Sequence, residues 1–394
     1  MQKNILVYMQ DGDLSPVGGQ RGYNYHLKQQ LDVMGETASN IHYLHSKNTV
    51  SENAQRFVNG ISNKHLKYIA TIIKSFLRKF WRLYGLCHKS SEDLTKYDVV
   101  HFHSTETMYE VKDSLKKYKG KVVLTTHSPT LLSKEIYAML TPWEKKHMHW
   151  FYKNLIKMDE YAFSRADYFI FPCPEAEEPY FNNWSKYKII KDRKKGCFRY
   201  LLTGTEKRYA KEKREDVRRK YGIPQDAFVV CYVGRHNELK GYDLLLELGS
   251  TMLQGSSNVY FLIAGKEEPL KGLESDHWIE VGWTNDPHSI INASDIFILP
   301  NRETYFDLIM LEVLSLGKIV VASYTGGNRY FEKINAPGVY LYRDLKQAEE
   351  IILSTKNLNL EEKNKLEQSN IDLFDSTFTV KKFASNYVDV INSI

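Results

Sequence analysis

The segment Pro300–Phe331, PNRETYFDLIMLEVLSLGKIVVASYTGGNRYF, leaves few architectures open. It reads as a strand end, a loop, a helix entered near Phe306, a buried strand over Ile319–Ala322 and a Gly-Gly turn. A strand whose carboxyl end feeds a loop and a helix is the repeating unit of a parallel α/β sheet. Ligands of such sheets bind beside those strand ends. The helix start offers free backbone N–H groups and a positive dipole end, a natural seat for phosphate. Glu312 follows about two turns into the helix, placed to accept hydrogen bonds from hydroxyls. A diphosphate and a sugar presented together would satisfy both features.

The rest of the chain repeats this alternation. Ile5–Met9, DVVHFH (98–103), VVLTT (122–126) and YFIFP (168–172) are short β-type runs separated by helical patterns, Tyr23–Met34 among them. A second series opens at Phe228 with FVVCYVGR, VYFLIAG, WIEVGW, IFILP and IVVAS. Two doubly wound α/β domains are expected: residues 1–205, a linker over 206–226 ending near the Gly222-Ile223-Pro224 turn, and 227–374. The tail 375–394 has the amphipathic spacing of a helix, with Phe378, Phe383, Tyr387 and Val390 on one face.

Composition excludes several classes. With 394 residues, 42% hydrophobic and 26% charged, the chain can bury two cores and is not disordered. Cys87, Cys173, Cys197 and Cys231 form neither a disulfide framework nor a zinc pattern. The first apolar run ends at Asp11 and is too short for a signal peptide, and no run is long enough to span a bilayer. A cytoplasmic setting is expected, with peripheral contact to the inner face of the membrane. The net charge of +6 suits an anionic partner without choosing one; nucleic acid is not expected.

The 300–331 segment resembles the donor-site signature of family 4-type retaining glycosyltransferases (glycosyl transferases group 1). Phe306, Leu308, Leu311, Glu312, Gly317, Val320, Val321, Ala322, Ser323, Gly326 and Gly327 fall into its register. Two positions depart: Thr304 stands where the first glutamate belongs, with Glu303 one residue early, and Asp307 replaces a glycine. The resemblance implies a GT-B fold, two facing Rossmann-like domains with the active site between them and a C-terminal helix crossing back to the first domain. It implies transfer of a hexose-type sugar, with retention, from a nucleotide diphosphate sugar to a hydroxyl acceptor. The donor would be UDP-linked and the acceptor a lipid-linked glycan or a protein, in bacterial surface glycan or glycoprotein synthesis. No cofactor and no catalytic metal are expected. The alternative is a non-catalytic GT-B partner subunit that binds an acceptor protein or stabilises an active transferase.

Site residues follow. In VGRHNELKGYDLL, Arg235 offers a planar fork and Lys240 a point charge to phosphate oxygens. A solvated surface carries such residues too; the resemblance makes them diphosphate ligands. It also places backbone N–H groups near Leu308 and Ile309 on the diphosphate, Glu312 on the ribose, and Glu303 or Thr304 on the sugar, within a donor loop that includes Tyr305, Phe306 and Asp307. Gly18-Gly19, after the first strand, matches a cleft-lining loop, and His127 matches a histidine beside the transferred sugar. Trp283 stands near the base, although a core tryptophan explains it almost as well. His101 and His103 share a strand face, a spacing better explained by structure than by a metal. Asp11-Gly12-Asp13 spells a metal-binding D-x-D but reads better as a solvated turn. Finally, residues 64–89 combine exclusively basic charges with aliphatic and aromatic residues. That pattern fits either an anionic membrane surface or a helix packed on the first sheet.

Overall fold

The computed structural model describes residues 3–9, 14, 16, 19–44, 56–87, 89–255 and 258–394. The chain divides into two compact units. The first comprises residues 1–171, 180–201 and 386–394; the second comprises 172–179 and 202–385.

The first unit is built on β1 (Ile5–Tyr8), β2 (Ile41–Tyr43), β3 (Val99–Phe102), β4 (Lys121–Leu124), β5 (Tyr168–Phe171) and β6 (Phe198–Tyr200). They pair in parallel in the order β2-β1-β3-β4-β5-β6. The inner strands are buried apolar runs, as expected where helices cover both faces of a parallel sheet. Helices α1 (Gly19–Met34), α2 (Lys64–Tyr84) and α3 (His149–Arg165) are the longest of this unit. The chain's last residues return to it: Lys3 donates to the carbonyl of Asn392 at 3.1 Å, and Asn40 to the Asn392 side chain at 3.0 Å.

The second unit carries β7 (Phe228–Val233), β8 (Val259–Ala264), β9 (Trp278–Gly282), β10 (Ile296–Leu299), β11 (Ile319–Ser323) and β12 (Val339–Tyr342). Their order is β12-β11-β10-β7-β8-β9, again all parallel. The chain leaves β7 toward β9 on one side and restarts at β10 on the other, so the topological switch point lies between the ends of β7 and β10. One face packs Val230, Tyr232, Phe261 and Ile298 against Leu245 and Leu248 of α4 (Tyr242–Gly255). Helix α5 (Leu308–Ser315) follows β10, beginning two residues after the expected Phe306. The two parallel sheets form the two-domain α/β architecture of the GT-B fold.

The segment 206–226, expected as a linker, is counted with the second unit and is tied into it. The side chain of Arg218, on a short helix over Arg214–Lys220, is fully buried. Its guanidinium donates to the carbonyls of Ala293 at 2.9 Å and Ala227 at 2.8 Å and to Asp295 at 2.8 Å. Asp295 also accepts from the Val229 N–H and from Arg214, both at 2.8 Å, and from Lys363. Burial would raise the Asp295 pKa, yet Arg214, Lys363 and these hydrogen bonds hold it down at about 2. Removing the carboxylate strands a buried cation, which costs roughly 3–5 kcal/mol. Asp295→Ala should therefore destabilise the protein by about that amount, read as a lower midpoint of urea unfolding.

Candidate functional site

The predicted site residues of the second unit other than Trp283 lie in the segments that follow β7 and β10. After β7 the chain passes Gly234, Arg235, His236 and Asn237 into a short turn over Glu238–Lys240. The Asn237 side chain accepts the Lys240 N–H at 2.9 Å and caps that turn. Gly241 has φ +66°, and a Cβ there would lie 1.7 Å from the carbonyl oxygen of Pro300. Only glycine permits this approach. It locks the loop carrying Arg235 and Lys240 against the loop that leaves β10. The hydroxyl of Tyr232 donates to the Arg235 carbonyl at 2.8 Å, fixing the backbone while the Arg235 side chain stays exposed. Lys240 is less free: its ammonium pairs with Asp307 at 2.8 Å, and Asn301 donates to the same carboxylate oxygen at 2.5 Å.

The loop from Pro300 to Asp307 is held from the other side by the Gly-Gly turn. A Cβ on Gly326 would sit 2.0 Å from the Thr304 carbonyl, and one on Gly327 would sit 2.1 Å from that of Tyr305. Glu178 accepts the Gly326 N–H at 2.7 Å and pairs with Arg329 at 3.1 Å. Tyr305 and Phe306 are buried, and the Phe306 ring stacks on Phe331 with centroids 5.9 Å apart. Their side chains thus help to anchor the loop. Thr304 is buried, and its hydroxyl oxygen and the side-chain oxygen of Asn301 have no hydrogen-bond partner among the described residues. Buried polar atoms without partners are uncommon and mark places where a ligand or water completes the set. Glu303 lies between them in sequence and is partly buried.

Helix α5 begins at Leu308 with Asp307 as its N-cap, yet the Asp307 side chain does not cap it and the first turn holds no acid. The first N–H groups, near Leu308 and Ile309, therefore keep the anion-seeking character of a helix start. Glu312 has both oxygens engaged. Arg208 reaches one of them at 2.9 and 3.1 Å, and His288 meets the other at 3.2 Å. Burial would raise the Glu312 pKa, but the His288 hydrogen bond and the Arg208 charge outweigh it and hold the carboxyl below its usual range. Neither partner carries a signal in the local sequence, since Arg208 lies 104 residues away and meets Glu312 only through the fold.

Trp283 follows Gly282 at the end of β9 and is 72% exposed, which removes the core account. The buried tryptophan of this strand is Trp278.

In the first unit the predicted residues divide. Gly18 and Asp11-Gly12-Asp13 lie outside the described residues. Gly19 opens α1 with open space where a Cβ would stand, so no contact there demands glycine. His127 ends the run after β4 in the left-handed region, φ 55°. Its Nε2 meets His103 Nδ1 at 2.7 Å, and its ring meets that of Tyr23 edge-on at 4.5 Å. His101 is fixed by the Tyr387 hydroxyl and by Thr125, both at 2.9 Å. Burial lowers the pKa of His101 and His127 to about 3 and holds that of His103 well below its ordinary value; the neighbouring imidazoles add to the shift for His101 and His103. These rings are neutral at physiological pH and act as hydrogen-bonding groups. Among the described residues, no three His, Cys, Asp or Glu side chains are placed to hold a metal ion.

Against known proteins, the second unit carries the decisive likeness. Residues 227–353 match the family model of glycosyl transferases group 1. That stretch holds Arg235, Lys240, Glu303, Glu312 and the Gly-Gly turn. Glycogen synthase 2 of Nitrosococcus oceani is 32% identical over 121 residues, covering 28% of this chain and 25% of that protein. An O-antigen biosynthesis glycosyltransferase, WclY of Escherichia coli, is 23% identical over 204 residues, covering 46% and 51%. The chain thus spans between a quarter and about half the length of these curated relatives. The crystal structure of Anabaena HepE in complex with UDP-glucose superposes on 99% of both chains with a TM-score of 0.62 at 14% identity, a likeness of fold.

The histidine cluster makes a testable demand. An unfolded histidine titrates near 6.5, so below that pH the unfolded chain binds protons that the buried rings refuse. Stability is therefore full above about pH 6.5 and falls as pH drops toward the folded values. The loss is about 2 kcal/mol per ring at pH 5. The melting temperature should fall between pH 7.5 and 5, and His101→Gln and His127→Gln should each flatten that slope.

Proposed function

We propose that this chain is a retaining glycosyltransferase that moves a hexose-type sugar from a UDP-linked donor to a hydroxyl acceptor. The observation that carries the reading is the convergence at the switch point of the second unit. There Arg235, Lys240 and the uncapped start of α5 surround a loop bearing two buried, unpartnered oxygens, on Thr304 and Asn301. Cations and helix N–H groups suit a diphosphate, and the unpartnered oxygens suit the hydroxyls of a sugar. The match to glycosyl transferases group 1 and the UDP-glucose complex of a structural neighbour support the donor class. The likeness to an O-antigen transferase supports an acceptor in bacterial surface glycan or glycoprotein synthesis, a lipid-linked glycan or a protein.

In this reading Arg235, Lys240 and the N–H groups near Leu308 and Ile309 stabilise the charge that grows on the leaving diphosphate. The bond from the anomeric carbon to the phosphate oxygen breaks as the acceptor oxygen bonds to the same carbon on the same face. The acceptor proton passes to the departing phosphate. Thr304 or Glu303 orients the sugar, Glu312 the ribose, and exposed Trp283 stacks on the base. His127, a neutral ring, supplies a polar contact to the sugar. No step calls on a resident cofactor or a catalytic metal.

One observation favours a second reading. Lys240 is already paired with Asp307, and Glu312 with Arg208, so both of these charges are compensated without a ligand. A non-catalytic partner subunit of an active transferase would have such a closed site.

A panel of nucleotide sugars separates the two. With one donor at a hundred times its Kd, the transferase should gain about 2.7 kcal/mol of stability and hydrolyse that donor slowly, in excess chelator as well as without it. Asp307→Gly should tighten donor binding by freeing Lys240, while Lys240→Ala and Thr304→Ala weaken it. No stabilisation by any donor, in wild type or Asp307→Gly, would transfer the assignment to the partner subunit.

A further inference from the structure

The first unit carries a surface that sugar transfer does not use. A helix beside a sheet ordinarily buries its apolar stripe. Helix α2 does not. Nine of its large apolar side chains are 39 to 69% exposed. Leu66, Ile69, Ile73, Phe76, Phe80 and Tyr84 repeat at three- and four-residue spacing, which lines them along one side of the helix. Among the side chains described on α2, only Leu83 is buried, packed with Leu140, Phe151, Leu155 and Met158. Its carbonyl accepts a hydrogen bond from Asn154 of α3. The helix is thus pinned at its carboxyl end while its apolar side stays in solvent.

The patch continues beyond the helix. Tyr84 meets Trp150 edge-on with centroids 6.1 Å apart. Trp150 and Trp143 are 46% and 65% exposed, and Lys145 and Lys146 lie between them in sequence. Every charged residue from Lys64 to Tyr84 is basic: Lys64, Lys67, Lys74, Arg78, Lys79 and Arg82. Contiguous apolar surface of this kind marks an interaction site. A second copy of the chain would set Lys64, Lys67 and Lys74 against the same three cations. An anionic lipid surface accepts the aliphatic stripe among its acyl chains, the tyrosines and tryptophans at headgroup level, and the cations among its phosphates. Among the described residues no helix is long and apolar enough to cross a membrane, so α2 would lie along the surface.

We propose that α2, together with the Trp143–Trp150 corner, docks the first unit on an anionic bilayer. The test is co-sedimentation of the full chain with phosphatidylcholine vesicles, with and without phosphatidylglycerol. Binding should be roughly tenfold or more stronger to the anionic vesicles and should weaken in high salt. Lys67→Gln with Lys74→Gln should lose roughly fivefold per cation removed. Ile73→Glu with Phe76→Glu should abolish binding. Both side chains are exposed, so the circular dichroism and melting temperature of that variant should match wild type. Equal binding to both vesicles, or to neither, overturns the proposal. So does a stable oligomer in sedimentation analysis that Ile73→Glu with Phe76→Glu dissociates, which would make this face a self-interface. Binding is read without a sugar donor, so its failure leaves the transfer reading untouched.

Discussion

The second unit turns on one contact, the close approach of Gly241 to the carbonyl of Pro300. It joins the ends of β7 and β10, the two strands that flank the switch point and share no loop. The Lys240–Asp307 pair and the hydrogen bond from the Arg302 N–H to the Leu239 carbonyl tie the same two segments. The Gly326-Gly327 turn repeats the device on the far side of that loop, with backbone against backbone at Thr304 and Tyr305. Three missing side chains thus hold the loop by its main chain. Within it the Thr304 hydroxyl and the Asn301 side-chain oxygen have no hydrogen-bond partner among the described residues.

Around this rigid frame the charges are compensated in the protein alone. The Lys240–Asp307 pair is only partly buried, so its attraction is screened and is worth little on its own. A diphosphate brings more than one negative charge and would compete for the ammonium through both its own charge and its repulsion of Asp307. The Glu312 cluster differs, because the carboxylate is more buried and takes hydrogen bonds from two partners. A ribose hydroxyl there adds a bond to an already ionised oxygen and need not displace a cation. The two departures from the family pattern therefore act in opposite directions on charge. Asp307 adds a negative charge beside Lys240, whereas Thr304 leaves a neutral hydroxyl where a carboxylate is expected.

Much of this was legible in the sequence wherever one local segment decided it. The five strand runs of the second series and four of the first announce themselves as short, largely apolar stretches. The strands that escaped notice, β2, β6 and β12, are three or four residues long at sheet edges and partly exposed, so they lack that signal. Arg235 and Lys240 were singled out by the resemblance of the local run VGRHNELKGYDLL to the family pattern. Arg208 and His288 were not, because what brings them to Glu312 is the packing of segments far apart in the chain. The role of 206–226 was hidden for the same reason: a charged stretch reads as a linker until Asp295 is seen to receive Arg218. Helix α2 shows the reverse limit. Its amphipathic pattern was plain, but a pattern cannot say whether its apolar side meets the sheet or faces outward.

The first unit bears on how a transfer reaction would dispose of a proton. His127 is the residue of the predicted set best suited by type to accept one, yet its ring is held between His103 and Tyr23 in surroundings that disfavour charge. Protonating it would place a cation beside two buried imidazoles, those of His103 and His101. The cluster is arranged to fix tautomers: the short His103–His127 bond requires one ring to donate and the other to accept. A ring so committed can orient a hydroxyl but is a poor general base near neutral pH. In the proposed reaction the acceptor proton then has a better destination in the leaving phosphate, which gains basicity as its bond to the sugar breaks.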